Sequence, residues 1–191
     1  MQSPMVVVKS VIASDGIGGT FGSSYFYEGM RGGTNGRGLL GFAKRRTMDG
    51  LGIVTETTYN NTASPSWGTP TTAGSDWALA GRPIKVTKWA PTSTNYTAPD
   101  ISISPETTAY AGYQLVNRVT SDWRSRASLA GYSRVVEAHN IGTLEESWEL
   151  GGTPPVALPT NTTSTPFSSV DQYGNVTAST VSSSDGFSKA T

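Results

Sequence analysis

The residues that could do chemistry are few and scattered. His139 is the only histidine and cysteine is absent. Thiolate and multi-histidine metal sites need several such ligands, so neither is expected. A Ser/His/Asp relay would have to run through His139, and no Gly-x-Ser-x-Gly elbow accompanies any serine. Glu145, Glu146 and Glu149 form an acidic cluster. Two carboxylates can hydrolyse a glycosidic bond between them, but on a short arm such a cluster reads first as a solvated face. Gly29 to Gly38 is glycine-rich, yet it lacks a Gly-Lys-Ser/Thr ending and a following helix to cradle a phosphate. Lys44-Arg45-Arg46 reads as a charged strand edge that discourages strand addition. The tryptophans remain. Trp67, Trp77 and Trp89, exposed on a β scaffold, could stack on pyranose rings; the other reading is that they seal a thin β core with Trp123 and Trp148. No catalytic residue, metal ligand or cofactor is expected.

The elements that must carry these residues are short strands. Charged residues are 15%, with 22 glycines and 11 prolines among 191 residues. Such punctuation disfavours long helices and favours hairpins, so the expected class is all-β: antiparallel strands in an extended, curved sheet with long Pro/Ser/Thr-rich loops. Net charge is zero, which argues against a general nucleic-acid binder. No apolar run reaches the about 20 residues of a membrane span. The composition fits large bacterial exported or surface proteins.

Met5 to Ser14 and Thr20 to Glu28 read as a hairpin around Asp15-Gly16-Ile17-Gly18-Gly19. In its second arm Tyr25 and Tyr27 share one face and Phe26 takes the other. After a turn over Gly29 to Gly36, Arg37 to Phe42 is extended, and its glycines Gly38 and Gly41 would let a ring or a backbone lie close. Asp49-Gly50-Leu51-Gly52 is a further turn, leading to a strand from Ile53 to Tyr59, and it echoes Asp15-Gly16-Ile17-Gly18. Residues 60–80 read as loop. Ile84 to Trp89 is a strand with Lys85, Thr87 and Trp89 on one face.

Further on, 90–106 reads as loop and Thr107 to Asp122 as strand, with Trp123 to Arg126 a turn or an edge that stacks arginine on an aromatic ring. Gly131 to Asn140 and Thr143 to Leu150 make a hairpin around Asn140-Ile141-Gly142, or the second arm is a short helix. Residues 151–169 carry four prolines and read as a linker or long loop, followed by a strand pair around Asp171 to Asn175 and a frayed end. The expected organisation is thus 1–150, 151–169 and 170–191. Asn-x-Thr triplets begin at Asn60, Asn95, Asn161 and Asn175, and matter only in a glycosylating compartment.

A family resemblance sits on these residues. Tyr25-Phe26-Tyr27-Glu28-Gly29, a glycine-rich gap, Gly36-Arg37-Gly38-Leu39-Leu40-Gly41-Phe42, then Asp49 and the strand to Tyr59 resemble a segment of bacterial Rhs/YD-repeat proteins. Those include the B components of insecticidal Tc toxin complexes and SpvB-like virulence proteins. Leu39 stands where an aromatic is commoner. Gly81-Arg82-Pro83 fits the same habit, and Asp171-Gln172-Tyr173-Gly174-Asn175 is similar to the Tyr-Asp-x-x-Gly-Asn core of a YD repeat with the order altered. The resemblance implies a non-enzymatic segment of a secreted or cell-surface shell that encloses a toxin polypeptide. Its implied partners are other β-repeats of a longer chain, the cargo and other toxin-complex subunits. The alternative is a carbohydrate-binding or adhesin β-module using surface Trp and Tyr.

Overall fold

The computed structural model describes residues 6–33, 38–61, 77–127 and 136–190. They form strands β1 (Ser10–Ser14), β2 (Thr20–Glu28), β3 (Arg31–Gly33), β4 (Gly38–Gly41), β5 (Lys44–Met48) and β6 (Val54–Asn60). Then follow β7 (Arg82–Pro91), β8 (Tyr113–Ala127), β9 (Val136–Ser147), β10 (Asn161–Ser164), β11 (Thr180–Ser183) and β12 (Ser188–Ala190). Two single-turn 3-10 helices, Trp77–Leu79 and Phe167–Ser169, are the helical content of the described residues. The class is all-β, as the composition implies.

Ten strands make one open antiparallel sheet in the order β1-β2-β5-β6-β7-β8-β9-β10-β11-β12, and β3 pairs with β4 as a separate hairpin between β2 and β5. Apart from that insertion, each strand pairs with its neighbour in sequence. Local pairing of this kind closes short loops, the least costly way to build a wide sheet. The sheet is a single layer with little core: among the described apolar residues Val54, Leu79, Ala90, Tyr110 and Val170 are buried.

Several elements differ from the sequence reading, each for a definable reason. Lys44-Arg45-Arg46 is not an edge: it opens β5, which pairs with β2 on one side and β6 on the other. Lys44 and Arg46 both reach Glu56 on the neighbouring strand, and Arg45 is exposed. Trp123 to Arg126 is no turn either; it continues β8. Asn140-Ile141-Gly142 does not reverse the chain but lies within β9, which is neither hairpin nor helix. There the ladder shifts register beside Asp122/Trp123, and Asn140 Oδ1 accepts the Gly142 N–H at 3.1 Å, so the turn-forming residues make a bulge. Strand content begins at Tyr113, since 107–112 are turns. Within the stretch read as linker, Asn161–Ser164 form β10, hydrogen-bonded to β9 and β11. The residues read as frayed form the β11–β12 hairpin as far as Ala190. The strand pair expected around Asp171 is a single bridge, Val170 to Val176.

Candidate functional site

Among the described residues, the aspartates, glycines and buried charges gather at corners and braces. The corners come first. At 15–19, 49–53, 171–175 and 183–187 the chain makes the same five-residue turn. In each the first residue's N–H donates to the fifth residue's carbonyl, at 3.1, 3.1, 2.9 and 2.8 Å. The fourth residue is a glycine with positive φ: Gly18 (99°), Gly52 (80°), Gly174 (88°) and Gly186 (101°). That left-handed position is the one that an L side chain resists.

Three of these turns start with aspartate, whose Oδ1 accepts two backbone N–H groups. Asp15 takes those of Ile17 and Gly19, both at 2.9 Å. Asp49 takes those of Leu51 and Ile53, also at 2.9 Å. Asp171 takes those of Tyr173 at 2.8 Å and Asn175 at 2.9 Å, and Asn175 Nδ2 adds a bond to Oδ2 at 3.0 Å. The Asn175 side chain, then the turn's N–H groups, hold the Asp171 carboxyl below the usual carboxylate range. The Asp15/Asp49 echo and the YD-like stretch are therefore one structural device: aspartate closes the turn and glycine supplies its φ.

The braces lie on one face. Register pairs Phe26, Arg46, Glu56, Thr87, Arg118 and Glu146 in a row across β2, β5, β6, β7, β8 and β9. Arg46 and Glu56 are each 1% exposed. Arg46 Nε donates to Glu56 Oε2 at 2.5 Å, and its Nη2 to Glu28. The guanidinium lies 5.4 Å from the centre of the Phe26 ring, and Nη1 donates to the carbonyls of Ser102 (2.9 Å) and Ile101 (3.4 Å). One side chain thus ties two strands to the 92–112 loop, which lies across this face. Burial pushes the Glu56 carboxyl up, but hydrogen bonds from Arg46 and Ser104 and the charges of Lys44 and Arg46 outweigh it, leaving it below its ordinary value. The loop is also held by Tyr110, whose hydroxyl donates to the Ile103 carbonyl at 2.5 Å, and burial raises that phenol to about 12.

The sequence-predicted residues divide between these two roles. Tyr27 packs on Phe42, ring centres 4.9 Å apart, while Phe26 meets Arg46 on the opposite face. Tyr25 is half-buried beside it on β2. Gly38, Leu40 and Gly41 lie in β4. Gly41 has φ 97° and no atom within 4 Å of where a Cβ would sit, so it is required for backbone conformation and not for close approach. Tyr59 lies next to the end of β6, its N–H bonded to the Ala43 carbonyl at 2.8 Å, and Gly81 (φ 75°) donates to the Asn60 carbonyl at 2.7 Å. Gly36, Arg37 and Trp67 lie outside the described residues, and of Trp77 only the backbone, in the first 3-10 turn, is described. Trp89 is half-buried on β7.

The acidic cluster is dispersed. Glu145 accepts from Asn117 Nδ2 at 3.0 Å, while Glu146 meets Arg118 at 3.4 Å on the other face. His139 stands 3.2 Å from Glu137 and edge-on to Phe167. No group of three or more metal-ligating side chains occurs among the described residues. The residue that sequence reasoning missed is Arg46. Its signal was available: a hairpin centred on Leu51 puts Arg46 opposite Glu56.

No protein-family model and no curated protein matches the sequence. Solved structures do. TcdB2-TccC3 superposes with a TM-score of 0.57 at 12% identity, covering 86% of this chain and 9% of that one. TcdB2-TccC3-Cdc42 gives 0.56 at 13% identity with the same coverage, and TcdB2-TccC3-TEV gives 0.54 at 12% identity over 85% of this chain. The fold is that of the matched part of TcdB2-TccC3. The resemblance carried by residues 24–59 is thereby met at the level of the fold. This chain spans 9% of the length of the TcdB2-TccC3 chain it matches.

Proposed function

We propose that this chain is a wall segment of an Rhs/Tc-like toxin shell, a non-enzymatic part of a secreted assembly that encloses or carries a toxin polypeptide. The observation that carries the proposal is the likeness over 86% of the chain to TcdB2-TccC3. Three features support it. The sheet adds strands in sequence order and is open at β1 and β12, so further strands of the same kind can extend it. It is one layer thick with few buried apolar side chains, while Ile17, Leu51 and Tyr173 stand exposed at the corners. Its charged residues brace strands and loop, as a load-carrying wall requires. The partners that follow are neighbouring β-repeats of a longer chain, the enclosed polypeptide and other toxin-complex subunits.

Protease protection in the natural protein that contains these residues tests this. The enclosed polypeptide should survive protease while the sheet is folded and be cleaved once denaturant opens it. Cleavage at the rate of the free polypeptide, with the sheet intact, would refute enclosure.

A further inference from the structure

Beyond the corners and the Arg46 brace, an aromatic ring, two ion pairs and an overhanging loop converge beside β7. A groove of about 440 Å³ between β7 and the 92–112 loop is lined by Lys85, Trp89, Pro105, Glu106 and Arg118. Lys85 Nζ meets Glu106 Oε2 at 2.5 Å, closing strand to loop. Arg118 meets Glu146 at 3.4 Å and lies 5.6 Å from the centre of the Trp148 ring. Trp89 is half-buried with its indole nitrogen buried, so what it shows to the groove is carbon surface.

We infer that this groove binds a neutral saccharide, with one pyranose face on Trp89 and its hydroxyls between the Lys85–Glu106 and Arg118–Glu146 pairs. Both cations already face a carboxylate, so a phosphate or sulfate would find no free positive charge. A wholly apolar ligand would leave those ions desolvated and unanswered. Sugar hydroxyls donate and accept together, which matches carboxylates that only accept beside ammonium and guanidinium groups that only donate. The apolar C–H face of the ring supplies the contact for the indole, in the usual combination of an aromatic platform and a few placed polar groups. This site stands independently of the wall reading, and its failure would leave that reading untouched.

The test is an NMR titration of the full chain, ¹⁵N-labelled, with D-glucose, D-galactose and N-acetyl-D-glucosamine, and with adenosine as the competing stacked ligand. At least one sugar should shift one tryptophan indole signal saturably with a millimolar Kd, that is, within about 50 mM ligand. Trp89→Phe assigns the signal, and Glu106→Gln, on an exposed loop, should weaken binding about tenfold by removing one charged acceptor. Trp89→Ala should abolish the shift, and if that variant fails to fold Glu106→Gln decides. The inference is overturned if no sugar gives a saturable shift, if Glu106→Gln binds as the parent does, or if adenosine binds more tightly than every sugar.

Discussion

Arg46 and Glu56 sit opposite each other in the middle of a sheet, each almost wholly removed from solvent. Such a pair contributes little net stability compared with two apolar residues, because desolvating both charges offsets their attraction. Breaking it is another matter. Glu56→Gln leaves the guanidinium with Glu28, which is half in water, and should cost about 3–5 kcal/mol, read as a lowered denaturant midpoint. Arg46→Met with Glu56→Leu should cost markedly less than either single change. The pair also sets an acid dependence. The folded carboxyl titrates below its ordinary value of 4.5, so its stabilising contribution is complete above that pH and is lost as pH falls through the folded pKa. Thermal scans of the parent should show a steeper loss below that value than scans of the double variant. At this scale the sequence was legible only in part. A basic triplet looks like an edge until the hairpin register sets a carboxylate against it.

The five-residue turn is the element that repeats, and its glycines can be separated by what surrounds them. Gly16 and Gly52 both have positive φ, 82° and 80°. A Cβ on Gly16 meets nothing within 4 Å, whereas one on Gly52 would fall 2.3 Å from the Tyr96 ring. Gly16→Ala should therefore cost about 1–2 kcal/mol, the left-handed backbone alone. Gly52→Ala should cost more, and the excess should disappear in a Tyr96→Ala background while the Gly16→Ala cost stays constant. An unchanged Gly52→Ala cost in that background would remove the steric account. Aspartate at the first position and glycine at the fourth made the turns at 15, 49 and 171 readable. The turn at 183 keeps the glycine but begins with serine, so it carried only half of that mark. Asn140-Ile141-Gly142 shows the opposite failure, because turn-forming residues also make bulges, and the long partner strand β8 decided between them.

For the whole molecule, the all-β class followed from glycine, proline and charge content, and the likeness to the matched fold chiefly from one stretch, 24–59, that covers five strands completely or in part. The length of the sheet was not legible, since β10 to β12 are three or four residues each and lie among prolines and serines with no periodicity. Their stability comes from pairing with a preceding strand, not from their own sequence. The most direct measurement of the central claim is cryo-electron microscopy of the natural protein that contains these residues. A closed hollow particle is expected, its wall one sheet thick, with β1 and β12 each hydrogen-bonded to a further strand and polypeptide density inside. A solid particle, or one in which this sheet stands as a separate module with both edges bare, would contradict it.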